Sequence, residues 1–283
     1  MLTHDQTRRI IKDLHFDDYW SHPAVSSSTL KKFLKLPTPA HVKHEIENPK
    51  DDSDALILGR LLHCLLLEPQ NLDAYFVIER EKLWDKTKLK KNGGSKEDWD
   101  ALKADADTRL LPIVPHDLWQ KAQAMAKNIE DVDTWAHVSK FGVKELSVFT
   151  EIKGQPVKAR FDLLYGGNIF DIKSSRHMLT DQNIRNVIHD EKYHLSAAMY
   201  LDVGKAAGVP VDRFIWVFVE SFAPYLCRII EAPPEMIEAG RKAYLHCLSK
   251  YKTASAGFWP GYDRDPSFIE TPNWYLEKLG TLV

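Results

Sequence analysis

The densest run of chemistry-bearing residues lies between Asp162 and Lys173. Alternate residues of a strand share a face, so in Asn168-Ile-Phe-Asp-Ile-Lys-Ser174 the side chains of Asp171 and Lys173 point the same way and Ile172 turns into the core. Asp162 belongs to the preceding strand, on one face with Lys158 and Arg160. A hairpin through 165–168 sets Asp162 beside Asp171. Two carboxylates that close repel, and one pKa rises, unless a cation sits between them. A divalent metal removes that penalty, and oxygen ligands suit Mg²⁺, with Mn²⁺ as a substitute. Lys173 next to such a metal can position or activate a water. The bare pattern Asp/Glu-x-Lys occurs three times, and alone it is ordinarily a surface ion pair. Glu151-Ile-Lys153 runs into Gly154, and Asp190-Glu-Lys192 falls at a helix break. Only Asp171-Ile-Lys173 combines an apolar strand with a second Asp nine residues upstream.

Two further residues offer themselves to the same site. His63 interrupts the apolar run Leu61-Leu-His-Cys-Leu-Leu-Leu67, on the helix flank shared with Gly59 and Arg60. It reads either as a core imidazole bonded to a carbonyl or as a metal ligand delivered from a helix lying over the sheet. Gly59 would let that helix approach closely. Glu145 precedes the first strand; it is either an exposed charge at the strand start or an outer carboxylate for a second metal. Arg160, on the Asp162 face, is a phosphate contact or a structural ion pair.

The surrounding elements follow from period and punctuation. Ser26, Pro39 and Ser53 open helices in the first half, and polar helices follow near 95–107, 116–130 and 131–139. The period then changes to strands at 146–152, 157–164 and 168–174. A helical stretch over 180–207 breaks near His189–Asp190. Strands at 213–220 and 225–232 and a helix over 235–253 complete the core, and the tail is irregular and aromatic. Phe214-Ile-Trp-Val-Phe-Val219 is apolar on both faces and belongs in the sheet interior. The expected fold is α/β (α+β): a central mixed sheet of about five strands flanked by helices, with a helical N-terminal elaboration. A single domain over 1–283 is expected, with a mainly helical part at 1–140 carrying His63, a sheet core at 141–255 and a tail at 256–283.

With 283 residues, 44% hydrophobic and 28% charged, the chain is globular in composition. No apolar run approaches the ~20 residues that span a bilayer. Residues 1–20 are polar and show no signal peptide, so a cytoplasmic protein without membrane attachment is expected. The three cysteines, Cys64, Cys227 and Cys247, are expected to be buried free thiols. A net charge of −2 argues against coating nucleic acid by bulk electrostatics but leaves local grip open. Lys82, Lys86, Lys88, Lys90, Lys91 and Lys96 form one basic patch around Gly93-Gly94, either a solvated loop or one that touches phosphates. No glycine-rich phosphate loop and no Gly-x-Ser-x-Gly elbow is present, which removes two common routes to another α/β enzyme.

Taken together, Gly59-x-x-x-His63, Glu145, Ala159-Arg-Phe-Asp162 and Asp171-Ile-Lys173-Ser-Ser175 resemble the PD-(D/E)xK nuclease superfamily, and within it the RecE-type exonucleases, the exodeoxyribonuclease VIII group of lambdoid prophages. The resemblance extends to Tyr19 through Val25-Ser-Ser-Ser-Thr-Leu30, to Gly59 through Pro69, and to Lys192-Tyr-His-Leu-Ser-Ala-Ala-Met-Tyr200, about residues 16 to 255 in all. It implies a restriction-endonuclease-like core and Mg²⁺-dependent 5′→3′ digestion of linear double-stranded DNA, leaving 3′ single strands for recombination by strand annealing. It implies that His63, Asp162, Asp171 and the Ile172 carbonyl hold the metals and that Lys173 serves the attacking water. With the residues read above, Lys173, Asp171, Asp162 and Glu145 are the expected catalytic set, and Arg160, Ser174, Lys88, Lys90 and Lys91 are the candidate DNA contacts. A homo-oligomeric ring and a single-strand annealing partner of the RecT type are implied as well. Ser196 departs from the pattern, standing where related nucleases often have Gln. Rival readings are an endonuclease or single-strand nuclease of the same superfamily, and an inactive DNA-binding or assembly module.

Overall fold

A six-stranded sheet organises the computed structural model, which describes residues 9–49, 52–80 and 96–280. Its strands are β1 (Arg9–Ile11), β2 (Val143–Ile152), β3 (Gln155–Tyr165), β4 (Asn168–Ser175), β5 (Arg213–Glu220) and β6 (Cys227–Glu231), neighbours in that order. All adjacent pairs are antiparallel except β4 and β5, which run parallel. Parallel neighbours require a crossover, and the helices Asp181–Asp190 and Tyr193–Ala207 supply it. The sheet is mixed, as expected, with one strand beyond the five. β1 is three residues long and mostly exposed, too short to show a period, and only its pairing with Ser147–Phe149 makes it a strand. A separate parallel pair joins Val77–Ile78 to Ile113–Val114.

Both faces of the sheet are covered. On one, α1 (Ser27–Lys35), α4 (Tyr193–Ala207) and α5 (Pro234–Ser255) pack over Val148, Phe161, Ile169, Trp216 and Phe218. On the other, α2 (Asp54–Leu67) and α3 (His116–Glu130) pack over Leu163, Phe170, Ile172, Val217 and Val219. The apolar run of β5 therefore feeds both cores, which is why it shows no alternation. Helix starts follow the side chains that cap them: the hydroxyls of Ser26 and Ser53 accept the amides of Thr29 and Leu56. The break in the long helical stretch falls at Lys192, in a left-handed conformation with φ 55°. Of the tail beyond 256, Asn273–Gly280 is helical. Cys64 and Cys247 are buried and Cys227 half-buried, all as free thiols. Among the described residues no helix is long and apolar enough to cross a membrane.

One close approach fixes α5 against α4. A Cβ at Gly240 would stand 2.0 Å from the His194 carbonyl oxygen, a backbone atom that cannot swing away. Gly240→Ala is expected to lower stability by about 3 kcal/mol, at the upper end of overpacking effects, because the two helices must separate. Urea denaturation monitored by circular dichroism measures it.

Candidate active site

The hairpin between β3 and β4 turns at Gly166-Gly167, and its ladder runs from Tyr165–Asn168 to Leu163–Phe170. The next facing positions are Asp162 and Asp171, and there the ladder ends. The Asp162 carboxylate takes over, with Oδ2 accepting the Ile172 amide at 2.7 Å. On the other side of β3, Glu145 lies between the pairs Lys144–Leu163 and Leu146–Phe161, opposite Asp162. Glu145 is inside β2, not ahead of it, and its φ is +47°. That backbone costs a residue with a Cβ on the order of 1 kcal/mol, and here it accompanies a carboxylate turned toward its neighbour across the ladder.

The third group comes from α2. His63 Nε2 lies 3.1 Å from the Ile172 carbonyl oxygen, and Nδ1 lies 3.6 Å from Asp162 Oδ2. With its proton on Nε2, the imidazole donates to the carbonyl and turns a lone pair on Nδ1 toward the carboxylate. His63 is thus bonded to a carbonyl, as one of its two readings has it, and it also stands beside the Asp162 carboxylate. His63, Glu145 and Asp162 each offer a ligand atom, and these atoms lie within 4.8 Å of one another. The expected role of Gly59 needs correction. A Cβ there would meet nothing within 4 Å, so the glycine permits no tight contact with the sheet; it lines the open cavity instead.

Asp171 stands apart from that trio. Its Oδ2 is 2.6 Å from Lys173 Nζ, which also donates to the Ile172 carbonyl at 3.1 Å. Burial pushes the Asp171 carboxyl up, against the Lys173 charge. Burial works against the Lys173 ammonium too, but Asp171 and Asp162 outweigh it and hold its pKa above the ordinary lysine value. Lys173 is therefore a fixed cation. Burial and then the Asp162 charge push Glu145 up to about 7, although Arg160 opposes them.

Arg160 is buried, with Nε donating to Glu145 and Nη2 3.5 Å from Glu68 Oε2; neither Nη1 nor Nη2 has a hydrogen-bond partner among the described residues. Its charge is thus shared between two carboxylates in the cavity wall. Lys158 Nζ donates to the carbonyls of Tyr19, Trp20 and His22 at 2.6, 3.0 and 2.7 Å, tying the end of the helix Phe16–Ser21 to β3. Ser174 is half-buried on the cavity wall, and Ser196 donates to Ser27 Oγ at 3.3 Å. Lys82, Lys86, Lys88, Lys90 and Lys91 lie outside the described residues; Lys96 opens the helix Lys96–Arg109. Sequence reasoning assigned no role to Glu68 or Lys31, which line the same cavity of about 920 Å³. Each sits among residues of its own type or in an apolar motif, so no local pattern marks either.

Residues 26–263 match the family described as PDDEXK-like domain of unknown function (DUF3799). The chain belongs to that family. A crystal structure of a "putative exonuclease" from Eubacterium rectale superposes with a TM-score of 0.63 at 14% identity, over 95% of this chain and 98% of that one. At that identity the likeness is one of fold. No curated protein matches. A PDDEXK-like chain with this cluster belongs to the PD-(D/E)xK nuclease superfamily, and family and site together support a nuclease.

The donor set fits a divalent cation. An imidazole, two carboxylates and a nearby carbonyl are the ligand types that hard and borderline ions take, and burial with the neighbouring Asp162 charge raises the pKa of Glu145, a penalty that a bound cation would offset. A pH dependence follows. Between its ordinary 4.5 and about 7, Glu145 keeps a proton in the folded chain that the unfolded chain has lost. Metal-free stability is therefore expected to fall as pH rises across that window and to level above it. Stabilisation by Mg²⁺ is expected to grow over the same window, since the ion competes with that proton. Urea midpoints at pH 5 to 8, with and without Mg²⁺, check both trends, and Glu145→Gln should flatten them.

Proposed function

We propose that this chain is a Mg²⁺-dependent exodeoxyribonuclease that digests linear double-stranded DNA 5′→3′ and leaves 3′ single strands for strand annealing. The observation that carries the reading is the convergence of His63, Glu145 and Asp162, with the Lys173–Asp171 pair beside them, in a PDDEXK-like chain. Direction of digestion, a homo-oligomeric ring and an annealing partner of the RecT type are proposed on the resemblance of the sequence motifs to RecE-type exonucleases, and a cytoplasmic setting on the three free cysteines.

His63, Glu145 and Asp162 would hold the ion, with Asp171 and the Ile172 carbonyl at the edge of its reach. When bound, the ion supplies Lewis-acid stabilisation of charge on the phosphate. Lys173, held as an ammonium by Asp171 and Asp162, orients the attacking water and offsets negative charge growing at phosphorus. Asp171 fixes the position of Lys173, and Asp162 keeps the two strands in register through the Ile172 amide. Arg160 keeps Glu145 in place.

A time course on a linear duplex labelled at either the 5′ or the 3′ end, with Mg²⁺ and with chelator, tests the proposal. The expected result is early loss of the 5′ label as mononucleotide and no cleavage with chelator. Cutting of closed circular DNA identifies an endonuclease. Preference for single strands identifies a single-strand nuclease. Absence of both cleavage and Mg²⁺ binding identifies an inactive module.

A further inference from the structure

Three lysines follow one another along α1, and two of them are neutralised. Lys35 Nζ is 2.6 Å from Glu191 Oε2, and Lys32 Nζ is 3.8 Å from Glu45 Oε1. Lys31 has no ion pair and no hydrogen-bond acceptor among the described residues, yet it is half-buried in the wall of the cavity that holds the acidic cluster. Its ammonium rests over the ring of Tyr193, 4.9 Å from the centroid. The same ring faces Lys173, whose Nζ is 5.4 Å from the centroid. One tyrosine thus bears on two cations, one matched to Asp171 and one unmatched. Burial, with the charge of Lys173, lowers the Lys31 pKa to about 7.

An ammonium held in a cavity without a counter-ion is unfavourable, and a tyrosine face offsets only part of the cost. The anion that fits is a phosphate oxygen arriving with the substrate. Asp171 already occupies Lys173, so Lys31 is the cation left over for a phosphate other than the one being cut. We infer that Lys31 binds a non-bridging oxygen of a backbone phosphate next to the scissile one. The inference rests on the nuclease reading and adds to that site a substrate contact held by Tyr193.

Steady-state cleavage of a linear duplex by the full-length wild type, Lys31→Met and Lys31→Arg tests it, using substrates with a single methylphosphonate at each of the phosphates flanking the scissile bond. A contact made equally in the bound and transition states raises KM and leaves kcat. Lys31→Met should raise KM about tenfold, as for one lost charge-assisted hydrogen bond, with kcat within about twofold, and Lys31→Arg should recover most of the loss. The slope of log affinity against log salt should fall by about 0.9. At one methylphosphonate position the wild type should lose about as much as Lys31→Met loses on plain DNA, and Lys31→Met should lose nothing more there. Equal methylphosphonate penalties in wild type and Lys31→Met at every position overturn the inference while leaving the nuclease intact. The neutral phosphate probes the folded wild type, so a destabilised variant does not block the answer. Wild type that cuts no DNA overturns the nuclease reading itself, and Lys31 with it.

Discussion

Lys173→Ala is expected to retain the fold and the metal site and to lose roughly a thousandfold in kcat. The fold survives because Lys173 is half-buried on the cavity side, while Ile172 on the same strand carries the packing. The metal site survives because the ligand atoms of His63, Glu145 and Asp162 converge without Lys173. What disappears is a cation kept charged by two carboxylates, next to the reacting phosphate. Lys173→Arg should recover little, since a planar guanidinium cannot reproduce a point charge 2.6 Å from Asp171 and 3.1 Å from the Ile172 carbonyl. Single-turnover cleavage together with calorimetric Mg²⁺ binding separates loss of chemistry from loss of metal.

Asp162→Asn is the second large effect, and its two readouts should move in opposite directions. Mg²⁺ affinity should fall about a hundredfold or more, taking cleavage with it, because one of three converging ligands loses its charge. Without metal, the variant should be at least as stable as the wild type. The amide oxygen still accepts from Ile172, and the Asp162 charge, which adds to burial in pushing Glu145 and Asp171 up, is gone. Thermal denaturation at pH 8 with chelator, where the wild-type repulsion is greatest, measures the gain. Acidic clusters of this kind trade stability for function. Asp162→Ala lacks the acceptor for the Ile172 amide and should be the less stable of the two.

Much of this site was legible because strand alternation is a short-range rule. Asp171 and Lys173 two residues apart must share a face, and a hairpin with two glycines at its turn must bring Asp162 to Asp171. The break near His189, the caps at Ser26 and Ser53 and the two-faced β5 were equally local. Long-range facts were not legible. β1 exists only through its partner strand, and the positive-φ backbone of Glu145 belongs to the ladder it interrupts. Nothing in Thr29-Leu-Lys-Lys-Phe-Leu-Lys35 distinguishes Lys31 from Lys32 or Lys35 until Glu45, Glu191 and Tyr193 are in place. Gly59 misled because a glycine before a histidine suggests contact, whereas its surroundings are empty.

From one side of β3, Lys158 reaches back to the 19–22 segment, Arg160 to the end of α2 and to Glu145, and Asp162 to Ile172 and His63. From the other side, Val157, Ala159 and Phe161 are fully buried in the core. A saturation mutagenesis map of this strand would look uniformly intolerant while recording two unrelated causes in alternation. Odd positions would fail for lack of soluble protein, whereas 160 and 162 would give soluble protein without turnover. Scoring the same library for abundance and for cleavage would resolve a two-residue rhythm that either score alone would hide.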